Sequence, residues 1–506
     1  MRRAVTLLAA GVALVGPTAL AFFSGGYFDV PRLIAALVAW ALVLVGALTS
    51  PRPFPGSWPG RAAVAGLALM CAWTAASLAW APLADPATAN LQRLLLYLAA
   101  LLAAAALLRE RVLLRAVEPI LALGAVTVIG YGLSGRLLPG LIHLERSFGA
   151  GGRLEQPLTY WNAEGALAAM GLVLCARLAG DTSRRVGIRA LAAAASAPLG
   201  AGVYLSYSRG AIAAVVVGLG VLLAVSPSRS QLRAIAIAVV ASLVAASASA
   251  AFPGVASLEG SASGRELDGA IMVGILVAVM LAAGAACAWI VSAERSGRVG
   301  VGRVPFARRL PAVAVSLVAL TVAGLVVGGL RERGRTERVS GPDNATRLTS
   351  LSSRRYDYWR LGGEAFVLHP LRGTGAGGFR VVWLRERPVR ESALDVHSLP
   401  LEMATELGIV GLLALALLVT GTGVAARRAL QRESALLAGA AAAATVWLVH
   451  ASFDWDWEMP AVTLPALVMA GALIAASEGL PERERRSKQP ASARTGVGER
   501  QADRAA

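Results

Sequence analysis

About fourteen apolar runs, nearly all long enough to span a hydrocarbon core that needs roughly 17 to 25 residues per helix, constrain this chain more than any other feature. They fall at 4–23, 32–49, 62–80, 91–108, 112–133, 163–179, 187–205, 210–225, 231–252, 269–291, 311–330, 406–425, 434–451 and 460–477. The two weakest, at 187–205 and 210–225, also suit a re-entrant pair. With 56% hydrophobic and 16% charged residues in 506, the chain is too apolar for a soluble globular protein. The expected fold is an all-α polytopic membrane protein of 12–14 transmembrane helices. "MRR" before the first run and "ALA" at 19–21 also have the form of a signal peptide, but the run is read as a retained span.

The net charge of +17 is distributed as membrane orientation requires. Arginine-rich connections at 2–3, 52–61, 109–115, 184–189, 229–233, 295–309 and 427–432 alternate with connections holding only Arg32, Arg136, Arg146, Arg153, Arg209 and Arg265. The positive-inside rule then places both termini in the cytoplasm of a cell-membrane protein. The basic excess therefore points to the lipid bilayer and not to nucleic acid. Cys71, Cys175 and Cys287 lie singly inside apolar runs and are read as packing residues, with no disulfide or zinc spacing. Three regions follow: N-terminal spans over 1–200, a membrane region over 201–477 that includes an external loop at 331–405, and a polar, disordered cytoplasmic tail over 478–506.

The external loop is where chemistry is expected. Within it, "SRRYDYWRLGGEAFVLHP" has helical spacing that Pro370 ends, and places Arg354, Arg355 and Trp359 near one face. Arginines there suit lipid headgroups or a bound phosphate. "GTGAGGF", 373–379, lacks a following Lys-Ser or Lys-Thr pair and reads as a tight turn, not a nucleotide loop. His397 precedes Pro400 and so sits at the amino end of a membrane helix, whose positive end favours the neutral ring. Glu402 and Glu406, four apart, share a face near it. Arg209 lies between two apolar runs, where a guanidinium faces a cavity, a partner or the interface. In "SFDWDWEMP", Trp455 and Trp457 suit an aromatic belt, and Asp454 and Asp456 suit sugar hydroxyls. The four histidines, 143, 369, 397 and 450, have no metal-ligand spacing; only His397 stands out, and His143 and His450 are expected to be bystanders.

"SRGA" at 208–211, "RYDYW" at 355–359, "HPLRGTGAGGF" at 369–379, "HSLPLEMATELGIVGL" at 397–412 and "SFDWDW" together resemble the O-antigen ligase and O-antigen polymerase superfamily of bacterial membrane glycosyltransferases. The resemblance covers about 200–460. It departs at Ser398, where the family has asparagine. It implies a GT-C-like fold with short helices in one large extracytoplasmic loop, and no metal or other cofactor. The implied reaction is transfer of a glycan from undecaprenyl pyrophosphate to a hydroxyl of a glycan, lipid or protein acceptor. By the resemblance His397 is the base and Arg209, Arg355 and Arg354 hold the pyrophosphate. Glu406, with Glu402 and Ser398, supports the motif, and Trp359, Asp454, Trp455, Asp456 and Trp457 are possible glycan contacts. A polymerase of the same family is equally compatible. A lipid-carrier flippase would instead bury charge along an inner cavity.

Overall fold

The computed structural model describes residues 1–305, 307–310, 312, 313, 316, 348, 355–390 and 392–479. Helix is the dominant structure, and no strand occurs among these residues. Among the described residues ten helices are long and apolar enough to cross a membrane: Arg2–Ala21, Asp29–Thr49, Ala84–Leu107, Arg111–Leu137, Trp161–Gly180, Val186–Leu205, Arg229–Ala251, Ala262–Arg295, Leu399–Arg432 and Pro460–Ser477. Trp58–Ser77 and the shorter Arg209–Val225 and Leu436–Ala451 account for three more expected spans. Most of the span at 311–330, much of the loop, Arg354 and tail residues 480–506 lie outside the described residues.

The helical segment Leu399–Ala451 holds 53 residues and is interrupted at Gly408, where φ is 66°. At 1.5 Å per residue that is about 80 Å, more than twice a hydrocarbon core of about 30 Å. Yet the rings of His397, just before it, and Trp455, just after it, are 5.9 Å apart. The segment is therefore a helical hairpin that reverses near Arg432–Leu436. Leu415 and Thr422 of its first arm accordingly line the same cavity as Leu448 and Ala441 of its second.

Trp161–Gly180 and Pro460–Ser477 are enclosed on all sides at the centre of the bundle. Small residues let the helices approach closely, as lipid-embedded bundles require. A Cβ on Gly66 would come within 2.5 Å of the Ala414 carbonyl oxygen, and one on Gly421 within 2.5 Å of the Ala63 nitrogen. The two weakest spans do not form a re-entrant pair: Val186–Leu205 packs on Trp161–Gly180 and Arg229–Ala251, whereas Arg209–Val225 packs on the hairpin. Cys71, Cys175 and Cys287 are free and buried.

Buried charge is not confined to the expected external end. At the opposite end Arg189 pairs with Glu294 at 3.0 Å and Arg177 with Asp181 at 3.6 Å, and Glu118 accepts the Gly439 and Ala440 N–H groups at 2.8 and 3.1 Å. The Arg189–Glu294 pair and the Glu118 bonds join separate helices, whereas Arg177–Asp181 lies at the end of one. Glu478, where the loose tail was expected to begin, is bound to Arg109 at 2.9 Å and to the Ser57 N–H at 2.9 Å.

Candidate active site

The loop folds around a small core of its own, built from Tyr358, Leu361, Phe379, Trp383, Ala393 and Val396. Arg355–Leu368 forms the expected helix, stopping before Pro370, and Phe379–Glu386 forms a second. Between them Gly373, Gly375 and Gly377 all adopt positive φ, and a Cβ on Gly375 would come within 2.6 Å of Ala81 Cα. The glycines thus let a tight turn press against the Trp58–Ser77 end of the bundle. Glu406 secures that turn by accepting the N–H groups of Gly377 at 2.6 Å and Phe379 at 3.2 Å, and Asn90 donates to it at 3.3 Å. Glu402 is buried beside Arg93 and Glu406 in a small polar cavity. The two glutamates therefore share a face that serves the loop and Arg93.

Val396 roots His397 in the loop core, and the ring lies 5.1 Å from that of Tyr358. His397 has φ 58°, a left-handed backbone uncommon outside glycine, asparagine and aspartate. Its Nδ1 is 2.9 Å from the Asp395 carbonyl oxygen. A carbonyl only accepts, so Nδ1 carries the proton and the lone pair sits on Nε2. Partial burial, and then the charge of Arg355, hold the ring's pKa below its ordinary value. Ser398 occupies the N-cap, but its side chain makes no capping bond, so its backbone carbonyl alone starts the helix by accepting Glu402 N–H at 2.8 Å. Trp359 Nε1 donates to the His397 carbonyl at 3.4 Å, so this tryptophan braces the histidine's backbone.

Arg355 is paired with Asp454, which also accepts from the Tyr160 hydroxyl at 2.6 Å. Burial alone would raise the Asp454 pKa, but Arg355, His450, His397 and the Tyr160 hydroxyl together outweigh it and hold the carboxyl below its ordinary range; Arg355 is raised in turn. Trp455 packs against Tyr160 at 4.6 Å and Tyr27 at 5.5 Å, forming one wall beside His397. Trp457 is only 2% exposed, wedged between Tyr97 at 4.8 Å and Trp447 at 6.1 Å. That leaves no face of it for a sugar, and it is a core residue. Asp454 and Asp456 are likewise fully buried and bind protein groups, not the open hydroxyls first expected of them.

Arg209 opens the Arg209–Val225 helix, and Ser208 caps it, its Oγ accepting Ala211 N–H at 3.2 Å. His450, passed over in the sequence, lies directly behind: Nε2 is 3.2 Å from Ser208 Oγ, and Nδ1 is bonded to Asp456. Its place four residues before Asp454 is the one signal that tied it to the site. The histidine, its neighbouring arginine and the segment that starts the Arg209 helix thus meet on the same end of the bundle, around the Asp454–Trp455–Asp456 connection.

A neutral imidazole with an available lone pair, beside a fixed guanidinium, can take a proton from a hydroxyl while an anion is stabilised close by. Residues 269–416 match the model of a family described as O-Antigen ligase. The match takes in the large loop, His397 and the start of the hairpin, and supports placement in the O-antigen ligase superfamily; "SRGA" and "SFDWDW" fall outside it. No curated protein matches the chain.

Proposed function

From the premise that residues 269–416 form a domain of the O-antigen ligase type, carried by glycan-transferring membrane enzymes, we propose that this protein moves a glycan from undecaprenyl pyrophosphate to an acceptor hydroxyl on the outer face of the cytoplasmic membrane. The observation that carries the reading is the His397 tautomer: Nδ1 is occupied by the Asp395 carbonyl, which directs Nε2 toward an incoming hydroxyl. Nε2 takes the hydroxyl proton as the oxygen attacks the anomeric carbon, and the bond from that carbon to the pyrophosphate oxygen breaks. The leaving pyrophosphate departs with the electron pair. Arg355, oriented by Asp454, and Arg209 neutralise its growing charge. Single displacement of this kind inverts the anomeric centre.

The test is a transfer assay with purified protein in liposomes, a labelled undecaprenyl-pyrophosphate glycan and candidate acceptors, including the donor's own glycan. Labelled product that survives EDTA is expected; none with any acceptor, or complete loss in EDTA, would count against the reading. Elongation of the donor glycan itself would identify a polymerase.

Orientation is testable separately. With Cys71, Cys175 and Cys287 replaced, a cysteine at exposed Glu364 should label with a membrane-impermeant maleimide in intact cells, and one at exposed Thr182 should not. The arginine distribution motivates this outcome. The reverse pattern would invert the protein in the membrane.

A further inference from the structure

We propose that His450 is a positioning residue for Arg209: gripped by Asp456, its imidazole fixes the Ser208 hydroxyl that caps the helix opening with that arginine. The proposal rests on the reading of Arg209 as a donor ligand. Ser208 lies 242 positions from His450, which stands six before Asp456, and the three are 4%, 0% and 0% exposed. With the imidazole neutral, their hydrogen bonds run from Ser208 to His450 to Asp456. The Asp456 carboxylate accepts, so Nδ1 of His450 donates to it; Nε2 is left to accept the Ser208 O–H. A Ser208 lone pair is thereby aimed at Ala211 N–H, one of the helix's otherwise unpaired first donors. The Ser208 N–H is itself held by Ser206 Oγ at 3.2 Å.

The same three residue types in the same order make a nucleophilic triad in hydrolases. Here Ser208 Oγ is enclosed, and its lone pair is directed at a backbone N–H, so no acyl or glycosyl group reaches it. The arrangement is suited to holding a shape.

What it holds follows from the connection between the hairpin and the last helix. Asp454 binds Arg355, and Asp456, two residues on, binds the start of the Arg209 helix through His450 and Ser208. The Asp456 carbonyl oxygen is fixed in turn by Thr463 Oγ1 at 2.7 Å. One short segment therefore sets the spacing of the two arginine-bearing elements, which a pyrophosphate bridging them would require. Misplacement of a positioning group by about 1 Å costs on the order of 100-fold in rate.

The experiment is a double-mutant cycle on reconstituted protein, using the undecaprenyl-pyrophosphate glycan as probe. His450→Ala should lower kcat/KM for the donor about 100-fold and leave the acceptor KM unchanged. Ser208→Ala should reproduce it, and His450→Gln, whose amide can donate to Asp456 and accept from Ser208, should recover part of the loss. In an Arg209→Ala background either substitution should add little, because the group being positioned is gone. A general loss of structure would instead add its full effect there and raise the acceptor KM. Should His450→Ala fail to fold, the cycle is run with Ser208→Ala and His450→Gln. Full activity in both, or undiminished effects in the Arg209→Ala background, would overturn the proposal. Full activity of Arg209→Ala itself would instead remove the donor-site reading beneath it.

Discussion

His397→Asn is expected to transfer glycan about 10²- to 10⁴-fold more slowly than the parent, the usual cost of losing a positioned base. Asparagine is the informative replacement because the backbone at 397 has φ 58°, which asparagine adopts with little penalty. Alanine at such a position adds backbone strain to the loss of the ring. The asparagine variant should therefore insert, keep the loop core around Tyr358 and Val396, and bind the lipid-linked donor as before. Its side chain supplies hydrogen bonds but no basic nitrogen at neutral pH. The assay is single-turnover transfer at saturating donor and acceptor. A rate within about threefold of the parent would take His397 out of the proton-transfer step and leave charge neutralisation by arginine as the main catalytic contribution.

Arg355 should carry a second large effect with a distinct signature. Arg355→Lys keeps the charge but loses the planar fork, and a drop of about 10²- to 10³-fold is expected if the guanidinium stabilises the leaving group. The pH profile separates its two roles. His397 must be neutral to act, and burial, then the Arg355 charge, depress its pKa, so activity should fall only as pH drops through a value below the ordinary histidine pKa of about 6.5. Arg355→Lys should leave that acid limb in place. Arg355→Gln removes the charge while Asp454, which favours the imidazolium, remains, so the limb should move upward. Asp395, whose carboxyl is pushed up to about 7 by burial and then by Glu458, protonates in the same range. Its ionised form supports the imidazolium, so its protonation at low pH further favours the neutral ring. Measured kcat/KM between pH 5 and 8 decides the matter: coincident acid limbs for Arg355→Gln and the parent would show that this guanidinium does not set the histidine's charge.

The spans were legible because a helix in lipid must be apolar along its whole length, and that pattern is local. The helix at Arg355–Leu368, the turn built on Gly373, Gly375 and Gly377, and the placing of His397 before a helix are also local patterns. What the sequence hid depends on contacts between distant residues. Ser208 and His450 are 242 positions apart, Arg355 and Asp454 are 99 apart, and neither pairing leaves a periodic trace. His450 therefore looked like a bystander at the end of an Ala-rich span. The alternating Asp and Trp of 454–457 read as an interface because its composition fits one. Its backbone instead coils into a short 3₁₀ turn at Asp456–Glu458, so Trp455 and Trp457 face different surroundings.

The helical hairpin has a consequence for how the protein could be taken apart. Its two arms bring His397 and Trp455 to one membrane face and reverse at the other, so the turn near Arg432–Leu436 supplies connectivity and no group to the site. The arms already share a packed cavity, with Leu415 beside the second arm's lining and Leu448 beside the first's. The site is thus divisible at that turn. A gene split there encodes two polypeptides, one ending with the base and its loop, the other beginning just ahead of His450 and the paired aspartates, and lateral association of helices within the bilayer is what would rejoin them.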